Sequence, residues 1–353
     1  MEVREAMAQN RAKNDRARIV DVAAASGFSP SVVSRVLSGK GDVTASTRTQ
    51  ILTAAHDLGY ERHGEFRGRP AVPPKLIDLT FLYFDNPWTA QVIAGAWKAA
   101  SALGYDILLT TERDDENADW VRRTQSRGVA GAIICQIRPT SEELRLLTRS
   151  RIPIVLLDPR SETSETVPTV GTDDRQGGFD AGAHLAATPA TRFIGLVGTP
   201  QYRFGRARME GFTEAISTLR PDAEIEIIQI HWSHWHATQA VLPLLKTATE
   251  TVGVFACNDA MATGVYNAAA QAGKSIPGDV HVVGFDDEPT SRLLSPPLTT
   301  LKYPLREAAA AAVKLISDAA TGLPMPTERI EVPSQLIVRG STKTSETEVA
   351  PGA

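Results

Sequence analysis

The groups best suited to chemistry in this 353-residue chain stand directly after short apolar runs. Asp85-Asn86-Pro87-Trp88 follows the run at 76–83, and Asp158 closes the one at 154–157. Asp173 precedes Gly177-Gly178, Arg206 and Arg208 come after Gly198-Thr199-Pro200, and Trp232 and Trp235 follow the segment 226–230. Asn258-Asp259 comes after 253–257, and Asp286-Asp287 after 280–285. Carboxylates and amides form paired hydrogen bonds with hydroxyls, arginines donate in a fixed fork, and indole faces cover ring C–H surface. Together these groups have the chemistry of a cleft for a polyol. Each also has a plainer use. Asp259 is equally suited to cap the helix after it, and Arg208 alone would pair with Glu210 or Glu214, a surface contact worth ~0.3–0.5 kcal/mol. Asp286 is the better ligand contact, because Asp287 can serve the loop.

Other chemistries lack their constellations. The run His231-Trp232-Ser233-His234-Trp235-His236 has no cysteine nearby. Its His231 and His236 are not at the i,i+4 spacing of a helical metal site, so it reads as a loop at the cleft rim. Gly195-Leu196-Val197-Gly198-Thr199-Pro200 has no lysine and is no phosphate loop. There is no nucleophile elbow, and neither Cys135 nor Cys257 stands beside a base. No catalytic residue, metal or cofactor is expected. An enzyme using Asp286 and Asp287 on a sugar is the remaining catalytic alternative.

Those residues need a frame. From residue 76 strands and helices alternate: strands at 76–83, 106–109, 131–135 and 154–157, with helices at 89–103, 118–127 and 141–149. A second set has helices at 177–187, 206–219, 237–246 and 260–271, and strands at 193–197, 226–229, 253–256 and 280–285. Such alternation implies parallel sheets covered on both faces, with ligands outside the carboxyl ends of the strands. Two sets imply two lobes.

Ahead of them, residues 19–60 read as a helix-turn-helix unit. Val22 and Ala23 suit an inner face, and Gly27 supplies the positive φ that lets a helix stop and turn. Ser29 is a fit N-cap and Pro30 a fit first helical residue. The next helix turns Val33, Val36 and Leu37 inward and leaves Ser31, Ser34 and Arg35 outward, where a recognition helix meets DNA. A third helix starts near Thr44 and runs through Ile51, Leu52, Ala55 and Leu58. Between Tyr60 and Leu76, two glycines, three prolines and four cations make a linker.

Net charge is −4 overall, but residues 1–70 carry 11 cations against 8 acids. A basic reader on an acidic body fits that asymmetry. Cys135 and Cys257 read as buried thiols. No apolar stretch reaches the ~18–20 residues of a membrane span, and the polar N-terminus lacks a secretion core. A cytoplasmic, nucleoid-associated protein is expected. A solute receptor serving a transporter is the weaker alternative.

The motifs in combination resemble the lactose-repressor (LacI/GalR) family of bacterial transcription regulators, from Ile19 to about Thr342. They are Asp21-Val22-Ala23, Gly27-Phe28-Ser29, Val33-Ser34-Arg35-Val36-Leu37 and Leu58-Gly59-Tyr60 in the head. In the body they are Arg208-x-x-Gly211-Phe212, Phe255-Ala256-Cys257-Asn258-Asp259-x-Met261-Ala262, Val283-Gly284-Phe285-Asp286-Asp287 and Pro296-Pro297-Leu298-Thr299-Thr300. The resemblance implies an α/β protein with a three-helix headpiece and a periplasmic-binding-protein-like body of two doubly wound parallel-sheet lobes joined by three crossovers. It divides the chain into a basic tail (1–17), headpiece (18–60), hinge (61–75), body (76–340) and a second tail (341–353). The N-lobe would comprise about 76–170 and 304–332, and the C-lobe about 171–301 and 333–340.

The implied partners are a second copy of the chain, a pseudo-palindromic operator and a small sugar-like effector, with no membrane. By position, Pro30, Ser31 and Arg35 would read bases and Ser34 would touch phosphate. Asp85, Trp88, Asp158, Arg208, Trp232, Asn258 and Asp286 would hold the effector. The hinge departs from the family pattern, which usually has Pro-Asn after the tyrosine and a leucine wedge for the minor groove. Here Gly64 and Gly68 weaken a helix, and Arg62, Arg67 and Arg69 would enter the groove by charge, with Phe66 as an alternative wedge.

Overall fold

The structure, a computed structural model, describes residues 17–37, 43–58, 60, 75–82, 84, 86–111, 120–160 and 167–342. Residues 1–70 and 71–353 form two compact units. Arg62, Arg67, Arg69 and Asp85 lie outside the described residues, as do nearly all of the expected hinge and both tails.

The first unit is a three-helix cluster. Helix α1 (Ile19–Ser26) has Arg18 at its N-cap position, and the Asp21 carboxylate accepts the Arg18 backbone N–H at 2.7 Å. Gly27 then ends the helix at φ 73°. Ser29 Oγ accepts from Val32 N–H at 3.4 Å and starts α2 (Pro30–Leu37). Thr44 does the same for Thr47 N–H at 3.2 Å ahead of α3 (Ala45–Asp57). Val22, Ala23, Val33, Val36, Ile51 and Ala55 make the core. Leu52 and Leu58, grouped by spacing with Ile51 and Ala55, are instead 46% and 40% exposed. Leu52 sits about 100° around the helix from Ile51, and Leu58 falls past the last helical residue.

The second unit is a pair of six-stranded sheets. In the N-lobe, β1 (Leu76–Phe81), β2 (Asp106–Thr111), β3 (Gly131–Cys135), β4 (Ile154–Leu157) and β5 (Thr169–Thr172) are joined by β11 (Arg329–Val332). The order is β11-β5-β4-β3-β1-β2, all parallel. Helices α4 (Pro87–Ala102) and α11 (Leu305–Ala320) cover one face, over Ile77, Leu79 and Phe81. Trp120 and Val121 of α5 (Trp120–Ser126) and Leu147 of α6 (Ser141–Arg149) cover the other, over Ile134 and Leu156.

The C-lobe repeats the plan. Strands β6 (Arg192–Val197), β7 (Glu224–Gln229), β8 (Val252–Ala256), β9 (Val280–Asp286) and β10 (Thr299–Lys302) are parallel, and β12 (Gln335–Ile337) runs antiparallel to β10. Helices α7 (Asp174–Ala186) and α8 (Arg203–Leu219) pack on one face, and α9 (His234–Thr247) and α10 (Asp259–Ala272) on the other. The chain passes between lobes from β5 to α7, from β10 to α11 and from β11 to β12. One apolar cluster runs through both lobes, from Leu79 and Val313 to Phe212 and Phe285.

Several helices begin earlier than their apolar periods indicate, because polar first turns carry no hydrophobic signal. Helix α8 starts at Arg203, three residues before Arg206. Helix α9 starts at His234, capped by Ser233 Oγ accepting from His236 N–H at 3.3 Å, so half of the expected rim loop is helix. Helices α7 and α8 cross on glycines. A side-chain carbon on Gly178 would strike the Arg208 carbonyl, one on Gly211 the Arg175 carbonyl, and one on Gly182 the Phe212 carbonyl at 2.7 Å. That close crossing sets Asp174 against Arg208. Gly211→Val should therefore destabilise the body by about 1–3 kcal/mol or more. Urea denaturation measures this, and an unchanged midpoint would show that the helices can part without cost.

Candidate functional site: the cleft between two sheets

The carboxyl ends of both sheets face one cavity of about 300 Å3. Six of the seven residues chosen from strand ends line it: Trp88, Asp158, Arg208, Trp232, Asn258 and Asp286. The N-lobe supplies Trp88 and Asp158, and the C-lobe the other four.

Arg208 is the centre of the site and only 3% exposed. Its Nε donates to Asp174 Oδ1 at 3.0 Å, and one terminal nitrogen donates to the Cys257 carbonyl at 2.7 Å and lies 3.8 Å from Asp286 Oδ1. The guanidinium sits 3.6 Å over the Phe285 ring. Burial alone would lower its pKa, but the carboxylates of Asp174 and Asp286 outweigh this and hold it raised. Arg208 thus makes no pair with Glu210 or Glu214; Glu214 pairs with Arg175.

An aromatic wall stands beside it. Trp232 stacks on Tyr202 with centroids 6.0 Å apart and planes 16° off parallel, and Phe204 lies 5.4 Å from Trp232. The indole occupies the place of a Gly198 side chain, since a Cβ there would overlap the ring. Arg160 reaches across from the N-lobe, 4.7 Å over Tyr202, and its carbonyl accepts Arg203 N–H at 2.7 Å.

Three strand-end residues on the wall hold positive φ without being glycine: Gln136 at 52°, Asp158 at 50° and Asp286 at 109°. Such backbone costs about 1–3 kcal/mol per residue and persists where the surroundings over-determine it. It turns side chains at the ends of β3, β4 and β9 to the cavity. Asn258 caps α10, its Oδ1 accepting from Met261 N–H at 2.8 Å, which leaves its NH2 as the free donor. Asp259 is not the cap. Buried at 1% exposure, it accepts from Thr300 Oγ1 at 2.6 Å and Glu288 N–H at 2.8 Å, tying α10 to β10 and the segment after β9. Asp173 caps α7, and Trp235 is 59% exposed to solvent.

Four buried polar atoms on the wall have no partner among the described residues: Asp158 Oδ1, Arg160 Nε, Trp88 Nε1 and Trp232 Nε1. Leaving such groups unpaired costs about 1–3 kcal/mol each, so a ligand that satisfied them would recover that energy. One acceptor and three donors around stacked rings fit a hydroxylated ring with apolar faces. Gln136, Arg160, Tyr202, Phe204 and Glu288 escaped the sequence reading. Gln136 directly follows strand β3 and obeys the same strand-end rule, whereas Tyr202 and Phe204 lie in a stretch with no apolar period.

A head of the helix-turn-helix type and a body with a cleft between parallel-sheet lobes define a ligand-responsive regulator. Residues 18–63 match the description "Bacterial regulatory proteins, lacI family", and residues 183–342 match "Periplasmic binding protein-like domain". The chain belongs to the LacI family. It is 33% identical over 345 residues to the HTH-type transcriptional regulator reg1 of Streptomyces lividans, covering 92% of this chain and 96% of that one. To MalR of Streptomyces coelicolor it is 32% identical over 344 residues, covering 92% and 96%. The structure of the regulator CelR in complex with cellobiose is similar at TM-score 0.68 and 25% identity, covering 92% of this chain and 100% of that one.

Burial raises the Asp286 carboxyl to about 8 despite Arg208, and raises Asp158 to about 6. A carboxyl raised in the folded state binds protons there that the unfolded chain has released. Its favourable contribution is present below the ordinary value of 3.8 and is lost as pH climbs to about 8. The ligand-free protein should lose thermal midpoint between those limits through Asp286. Asp286→Asn should flatten the decline above pH 6, and an unaltered profile would place the titration elsewhere.

Proposed function

We propose that the protein is a transcriptional repressor which binds a pseudo-palindromic operator as a homodimer and is switched by a saccharide in the cleft. The observation that carries the reading is the set of unpartnered polar atoms beside the Trp232–Tyr202 stack, on one chain with a helix-turn-helix head. Pro30, Ser31, Ser34 and Arg35 are all exposed on α2, away from its core face. There they are able to enter a major groove while Val33 and Val36 anchor the helix. Arg35 has the forked donor geometry that pairs with guanine, worth ~1–3 kcal/mol of discrimination. Ser34 serves a phosphate, and Arg62, Arg67 and Arg69 follow into the minor groove. Asp85 is the seventh effector contact.

The cleft binds without turnover. Arg208 is committed to Asp174, Asp286 and the Cys257 carbonyl, an arrangement that orients groups. Among the described residues no helix is long and apolar enough to cross a membrane, and the protein acts on DNA in the cytoplasm. Because effector and operator favour different arrangements of the same body, each alters the other's affinity by the same factor.

Two experiments test this reading. Operator selection followed by fluorescence anisotropy should show Arg35→Ala relaxing preference at one base of each half-site. A uniform loss across sequences would make Arg35 a phosphate contact instead. Trp232→Ala should weaken effector binding about tenfold or more while ligand-free operator affinity stays within about twofold, since a lost stacking face of ~1.4 kcal/mol gives that factor. Loss of both would make Trp232 structural. Failure of every sugar in a broad panel to shift operator affinity would reject the switch.

A further inference from the structure

A second cavity, of about 640 Å3, adjoins the first and shares Pro87, Trp88, Asp286 and Glu288 with it. We propose that the effector is a neutral saccharide of at least two rings, its inner ring against Trp232 and Arg208 and its outer ring in this second cavity. The inference rests on the saccharide reading of the cleft and extends it to the length and charge of the ligand.

The smaller cavity lies at the bottom of the range of ~300–1,000 Å3 for small-molecule pockets, so a second ring must look beyond it. The larger one opens where the first ends, at Trp88. That indole borders both spaces, and its Nε1 lacks a partner. A ring leaving the inner cavity would pass over the Trp88 face. Tyr303, 4% exposed, also lines the larger cavity, and its buried hydroxyl has no partner among the described residues. A buried hydroxyl left unpaired marks a place where a ligand hydroxyl gains the bond water is denied. Gln91 and Lys302 add an amide and an ammonium, while Pro289 and Leu305 provide apolar floor.

Charge decides between a sugar ring and an anionic group. Four carboxylates stand on the wall of this cavity against three cations. One of those cations, Arg292, already donates to Asp287 at 3.0 Å. A phosphate or carboxylate would face a wall with no surplus of positive charge. A hydroxylated ring meets donors and acceptors of both kinds and satisfies them without transferring a charge from water.

Calorimetric titration of the full-length protein tests the inference. The probes are glucose, galactose and ribose, the disaccharides maltose, cellobiose, lactose and trehalose, the trisaccharides maltotriose and cellotriose, and glucose 6-phosphate. At least one di- or trisaccharide should bind about tenfold or more tightly than its constituent monosaccharide. Gln91→Trp, which fills the outer cavity, should reduce that affinity to the monosaccharide's, with the ligand-free thermal midpoint recording that the variant is folded. Equal affinity for a monosaccharide and its disaccharides overturns the proposal, as does a Gln91→Trp variant that keeps the full gain. Tighter binding of glucose 6-phosphate than of every neutral sugar also overturns it, by making the outer group an anion. If no sugar or sugar phosphate binds, the saccharide reading of the whole cleft fails and this extension falls with it.

Discussion

The cleft is organised around a single buried positive charge. A guanidinium removed from water is tolerated only when its donors and its charge are both answered. Arg208 meets that demand from four directions: the start of α7 through Asp174, the end of β8 through the Cys257 carbonyl, the end of β9 through Asp286, and the Phe285 ring beneath it. Asp174 is shared with Arg203, at 3.3 Å, whose backbone N–H holds the N-lobe carbonyl of Arg160. A chain of contacts therefore leads from the centre of one lobe to the rim of the other. The glycines at the α7–α8 crossing serve this arrangement, since any side chain there would push Arg208 away from Asp174.

The two cleft carboxylates show how position sets chemistry. Asp158 and Asp286 sit at comparable strand ends and share Arg208 as a neighbour, yet burial raises Asp286 further. Arg208 lowers both, and Asp158 is lowered by Arg203 and Arg329 as well, whereas Asp286 has Glu288 beside it, raising it further. Equivalent strand-end positions therefore hold two carboxyls of different acidity, set by the charges around each.

Much of this was legible in the residues themselves. The βα grammar located thirteen strands and helices of the body before residue 260, because buried parallel strands read as unbroken apolar runs. It passed over β5, β10, β11 and β12, where threonines, charged residues or a glutamine interrupt the apolar run that marks the equally short β4. Helix α11 was not read from its residues; the resemblance assigned 304–332 to the N-lobe without naming an element there. In the site, carboxylates and arginines at strand ends stood out by type. Tyr202 and Phe204 did not, because their role comes from folding back on Trp232. The cap expected at Asp259 falls to Asn258, whose amide NH2 still faces the cavity, while the acid is buried as a structural tie. Neighbouring polar residues with overlapping abilities are sorted by backbone direction, which local sequence does not encode.

The seat of Trp232 has a consequence for the history of the chain. Position 198 is small because the Trp232 ring already occupies the place of a side chain there, so the two positions answer to one volume. A lineage that exchanged the indole for a smaller group would release residue 198 to grow, and one that enlarged residue 198 first would evict the ring. Substitutions at these two places are bound to arrive in that order or together.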